Sequence, residues 1–136
     1  MARKKMIPED IRQQVVTLVE QFNGENALPP ASNPLQKVLE MFGINPPSAK
    51  ETRYRTGDYV PRFRGKYLYL DRVGFAGRLY EICRLKWTGD MNNWDFAIYR
   101  HSRNRYDPDE WMFPGSEEVD GTVTGAMRAG MAAYPP

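Results

Sequence analysis

The sequence predicts an α+β domain with two N-terminal helices, an antiparallel β-meander of three or four strands, and a C-terminal helix packed on the sheet. Three observations lead there. Apolar residues up to Phe42 recur with the 3.6-residue period of helices, and those from Lys66 to His101 alternate with the two-residue period of strands. Gly125, Ala129 and Ala133 then mark a last helix with one nearly bare side. At 136 residues the chain suits a single domain, 1–136, with a helical part over 1–49, a meander over 53–106, and an acidic loop and helix over 107–136.

The first helix is expected from Pro8 to Asn23, because Ile11, Val15, Leu18, Val19 and Phe22 share one stripe. Pro8 suits its first position, Glu9 and Asp10 complement the positive end of its dipole, and Gly24 sits where a left-handed cap closes a helix. The second helix is expected to start at Asn33, with Pro34 in its first turn and Gln36 completing a capping box, and to close at Gly43. Strands follow over Lys66 to Arg72, Arg78 to Trp87 and Trp94 to His101, separated by turns at Gly74–Gly77 and Thr88–Asn93. Tyr54 to Val60 adds an edge strand, and a turn at Ser102–Arg105 leads to a short extension at Tyr106. Asp120 is the expected N-cap of the last helix, which Pro135 and Pro136 stop.

Composition excludes several classes of protein. The single cysteine, Cys83, allows no internal disulfide and fits a reducing compartment, and with one histidine, His101, a closed zinc site has too few soft ligands. No apolar signal core follows the basic Met1-Ala2-Arg3-Lys4-Lys5 start, and no apolar run reaches membrane-spanning length. The expectation is therefore a cytoplasmic protein without a membrane partner, cofactor or metal. Phosphate-cradling glycine motifs are absent as well.

The formal charge of +2 conceals a polarity along the chain. Residues 50–86 hold ten basic and four acidic side chains, whereas residues 87–136 hold eight acids against four arginines. Such polarity either steers an anionic partner to one face or ties two halves of a domain together.

Alternation sorts the meander into two faces. Leu68, Leu70, Leu79, Cys83, Leu85, Trp87, Trp94, Phe96 and Ile98 make the core face, and the other carries Tyr67, Tyr69, Arg78, Tyr80, Ile82, Arg84, Lys86, Ala97, Tyr99 and His101. The expected function is a small non-enzymatic binding protein that contacts nucleic acid through this second face. Arg62, Arg64, Arg78, Arg84 and Lys86 would match phosphates, and Tyr67, Tyr69, Tyr80 and Tyr99 would stack on bases. One alternative is a protein-interaction or accessory subunit, or a homodimer, without nucleic-acid affinity, using the tyrosine face or the apolar Trp111-Met112-Phe113 run. Another is a metal-assisted enzyme using the acidic 107–120 segment, although Asp107-Pro108-Asp109-Glu110 reads equally as a capped turn.

From Pro34 onward the order of helix, three strands and helix resembles a double-stranded RNA-binding domain, with a similar Ala-rich last helix. Where that family carries a lysine cluster this chain has Glu117-Glu118-Val119-Asp120-Gly121, and no family is assigned.

Overall fold

The computed structural model describes residues 6–26 and 54–136, so the helix expected over Asn33 to Gly43 lies outside the described residues. Helix α1 (Glu9–Glu25) buries the expected stripe through Val15, Val19 and Phe22, with Pro8 immediately before it as N-cap. It does not stop at Gly24. The N–H and the side-chain amide of Asn26 both donate to the Phe22 carbonyl, at 3.0 and 2.9 Å, so a left-handed glycine is not needed to satisfy that end.

Among the described residues five strands form one antiparallel meander in the order β1-β2-β3-β4-β5: β1 (Tyr59–Arg64), β2 (Tyr67–Val73), β3 (Leu79–Lys86), β4 (Asp95–Arg100) and β5 (Arg105–Asp107). The sheet thus exceeds the three or four strands expected, and the likeness to a three-stranded module ends there. The edge strand begins at Tyr59 rather than Tyr54. A turn with Gly57 at φ 94° precedes it, closed by the Arg55 N–H donating to the Asp58 carboxylate at 2.9 Å. Pro61 lies inside β1, which its edge position permits, since a proline contributes no N–H to a ladder. The short extension at Tyr106 becomes β5, paired with β4 through Tyr99↔Tyr106.

A bulge interrupts the β2–β3 ladder. Leu70 pairs with Cys83 but Asp71 pairs with Glu81, so Ile82 is the extra residue and enters the core beside Cys83. Every residue of β3 before it changes face. Leu79, expected in the core, is 49% exposed, and Tyr80, expected on the tyrosine face, pairs with Arg72 on the core side.

Helix α2 (Val123–Ala133) is capped by Thr122, not Asp120. The Thr122 hydroxyl accepts from the Gly125 N–H at 3.0 Å, and the Asp120 carboxylate instead accepts from the Thr122 N–H and hydroxyl at 3.0 and 2.6 Å. Its small residues serve two contacts. Gly125 backs onto the 118–120 loop, while Gly130, which breaks the four-residue repeat, meets Tyr59 and Ile82 of the sheet. Residues of α1, α2 and the core side of the sheet join in one apolar cluster. Tyr59 is at its centre: its ring packs on Phe22, and its hydroxyl donates to the Met127 carbonyl at 2.7 Å.

These contacts predict opposite signs for two glycine substitutions. Gly24→Ala adds a methyl group to open space inside a helix and should stabilise the protein by about 0.5–1 kcal/mol. Gly130→Ala drives a Cβ into the Tyr59 hydroxyl and Ile82 Cγ2 and should cost about 1–3 kcal/mol. Urea unfolding of the two variants checks both.

Candidate functional site

Cross-strand register decides which of the expected binding residues share a surface, because directly paired residues on antiparallel strands project to the same face. Arg64 pairs with Tyr67, Tyr67 with Lys86, and Lys86 with Asp95. One step along, Arg62 pairs with Tyr69, Tyr69 with Arg84, and Arg84 with Ala97. Both central tyrosines are thus flanked on each side by a cation. Tyr99 and Tyr106 pair with each other on the same face, next to the acidic pair Asp71↔Glu81. Two of the expected residues are elsewhere: Arg78 lies in the turn before β3, and the bulge sends Tyr80 to the opposite face.

The rings do not stand free. Tyr67, Tyr69, Tyr106 and Tyr99 form a continuous chain with successive centroids 6.1, 5.4 and 4.9 Å apart. Tyr69 and Tyr106 touch although β3 and β4 lie between their strands, a span of about 14 Å in a flat sheet, so their side chains lean together over the intervening strands. Ala97, the small residue between them on β4, is buried. Tyr99 is only 8% exposed and is closed to stacking by a base.

Cations cover the tyrosine faces. Arg62 lies 4.3 Å over Tyr69, Arg84 lies 4.6 Å over Tyr67 and 5.2 Å over Tyr106, and the Lys66 ammonium lies 5.6 Å from the Tyr67 ring. Charge is graded along the strands. Arg64, Lys66 and Lys86 gather at the β1–β2 hairpin end, and Asp71 and Glu81 lie towards the other. Arg62 bridges the two regions, its Nε donating to Asp71 Oδ2 at 3.2 Å.

The acidic end is buried and electrostatically strained. Asp71 is 5% exposed, and its Oδ1 has no hydrogen-bond partner. Burial pushes its carboxyl above the ordinary 3.8; Arg62 pulls it back down, and Glu81 adds a smaller upward push. The Tyr106 hydroxyl, also buried without a partner, is raised first by burial and then by Asp71. Burial, followed by Glu81, raises Tyr99. Sequence reasoning missed Tyr106 and these two acids. The alternation Arg105-Tyr106-Asp107 after a turn was the available signal for Tyr106, whereas Asp71 and Glu81 face each other only because of the bulge.

The face is free of both described helices, since α1 and α2 lie on the other side of the sheet. None of the described helices is long and apolar enough to cross a membrane. The remaining expected features are engaged within the fold. Arg100 pairs with Glu110 at 2.5 Å and with Asp107 at 3.9 Å, and the Asp107 carboxylate accepts from the Asp109 N–H at 3.0 Å. Among the described residues no group of three or more potential metal ligands converges. Arg62–Asp71 and Arg55–Asp58 pair within the basic 50–86 segment, and no ion pair among the described residues joins that segment to the acidic 87–136 part. Cys83 is fully buried, and burial pushes its thiol far up, away from the reactive thiolate. Phe113 stacks on Phe96 and closes one end of the core, Trp111 packs beside it half exposed, and Met112 is 92% exposed. No known family model, curated protein or solved structure matches the chain.

The raised Asp71 carboxyl holds its proton more tightly in the folded than in the unfolded chain. Its contribution to stability is therefore greatest below the ordinary carboxylate value and is lost as pH rises through the folded value. Asp71→Asn removes that dependence. The unfolding free energy of the variant relative to the parent should increase from about pH 3 to about pH 7, measured by urea titration across that range.

Proposed function

We propose that this chain is a small non-enzymatic binding protein that holds the phosphate backbone of nucleic acid at the basic end of its tyrosine face. The observation that carries the reading is the register that twice sets a tyrosine between two cations on neighbouring strands. Tyrosine rings beneath Arg62 and Arg84 hold the guanidiniums in place, which lowers the entropy lost when each meets a phosphate. Because those ring faces are already occupied, the contact is one of charge with phosphate rather than of base stacking, and sequence preference should be weak. Arg64, Lys66 and Lys86 extend the same strip, whereas Asp71 and Glu81 repel a backbone at the other end and so confine the path.

A specific observation also favours a protein partner. Met112 and Trp111 expose apolar surface on the loop that follows β5. A mass that rises with concentration in light scattering and falls in Met112→Ser with Trp111→Ser would assign the contact to that loop.

For four phosphate contacts with a single strand, affinity should fall roughly 50-fold between about 50 and about 200 mM salt. Arg64→Ala combined with Lys86→Ala should reduce the slope of log affinity against log salt by about half. Fluorescence anisotropy with short labelled oligonucleotides measures both. Undetectable or salt-insensitive binding to single- and double-stranded DNA and RNA would remove the nucleic-acid reading.

A further inference from the structure

The opposite side of the sheet carries a feature that the tyrosine face does not use. A cavity of about 330 Å³ opens between the β2–β3 connection, β3 and the residues that follow α2. Its walls are mainly apolar, with Phe75, Tyr80, Ile82, Tyr134 and Pro135 among them. One of its lining residues, Arg72, carries a charge that no carboxylate among the described residues compensates.

Arg72 is only 5% exposed. Its Nη2 donates to the Tyr59 hydroxyl at 2.7 Å, its Nη1 donates to the Tyr134 carbonyl, and its guanidinium lies 4.7 Å over the Tyr59 ring. Its Nε has no partner, and among the described residues no carboxylate pairs with it. A buried ion is ordinarily matched by an opposite charge, because dipoles alone do not repay the loss of water. Tyr59 and Cys83, the ionisable groups on which the Arg72 charge acts, are both pushed up by burial and stay neutral, so neither supplies that charge.

Phe75 adds a second, independent observation at the mouth. It lines the cavity yet is 88% exposed, on a short 3₁₀ turn (Phe75–Gly77) in which Ala76 takes φ 58°, a left-handed conformation uncommon for a residue with a side chain. An aromatic ring left in water and a guanidinium without a counter-ion among the described residues thus border one cavity. A single ligand, apolar in body and anionic at one end, satisfies both.

We propose that this cavity binds a small aromatic monocarboxylate, with the carboxylate paired to Arg72 and the ring set against Phe75, Tyr80 and Tyr134. The volume is at the lower end of the range for small-molecule sites, about 300–1,000 Å³, which suits one or two fused rings. One buried guanidinium matches one negative charge, and its planar fork suits a carboxylate. The site is on the core side of the sheet and stands or falls separately from the nucleic-acid reading.

The test compares 1-naphthoate with its uncharged amide, 1-naphthamide, by titration followed in ¹H–¹⁵N spectra of the whole chain. The acid should shift the amide signals of Gly74, Phe75, Tyr80 and Tyr134 and bind roughly tenfold or more tightly than the amide. Arg72→Gln should abolish that preference. If Arg72→Gln fails to fold, Thr56→Trp serves instead: it places a ring in the cavity from an exposed lining position, leaves Arg72 in place, and should block both compounds. Equal affinity for acid and amide, shifts centred on the tyrosine face, no binding, or binding unchanged by Thr56→Trp would each overturn the proposal.

Discussion

A buried tyrosine must find partners for its hydroxyl and for its own backbone, and at Tyr59 meeting that demand joins the described elements together. Among the described residues β1 is an edge strand, so the N–H and C=O of Tyr59 that point away from β2 have no neighbouring strand there to meet. The Asn23 side chain takes the place of one. Its Oδ1 accepts from the Tyr59 N–H at 2.8 Å and its Nδ2 donates to the Tyr59 carbonyl at 2.9 Å, which ties the end of α1 to the sheet edge. At the far end of the Tyr59 side chain the hydroxyl donates to the Met127 carbonyl of α2 and accepts from Arg72 of β2. Gly130 is bare because that hydroxyl occupies the space a Cβ would need.

The bulge at Ile82 is the second constraint, and it connects the two surfaces of the sheet. One extra residue in β3 adds Ile82 to the core, turns Tyr80 towards Arg72, and sets Glu81 opposite Asp71 on the tyrosine face. The apolar cavity and the acidic end of the tyrosine array thus share one backbone irregularity, each reading it from its own side. Without it the alternation would place Tyr80 among the other tyrosines.

Electrostatics on the tyrosine face follow from the same packing. Tyrosine rings that lean together bury Asp71 and the Tyr106 hydroxyl, and burial raises both groups because the charged form of each loses water. Arg62, though exposed, is held between this buried acid and the Tyr69 ring, whereas Arg64, at the hairpin end, is exposed and has no carboxylate partner among the described residues. Arg62 thus shares its charge with Asp71, and the net positive charge of the face is concentrated towards the hairpin end.

The periodicities by themselves determined the α+β class, the apolar stripe of α1, the three central strands and most of the core, from Val15 and Val19 to Leu68, Leu70, Leu85, Trp94, Phe96 and Ile98. They also brought Arg62, Arg64, Tyr67, Tyr69, Arg84, Lys86 and Tyr99 to one face, because a strand's alternation is a local property of its backbone. Only the tertiary structure decided the rest. Pro61 hid the true span of β1, whose edge position is a fact of strand order, and the bulge reversed Leu79, Tyr80 and Ile82 because register is set between strands rather than along one. Asn23, Arg72 and Gly130 carry no local signal of their roles. Each is defined by its approach to Tyr59, and for Asn23 and Gly130 that approach spans long stretches of chain and exists only once the helices and the sheet have met.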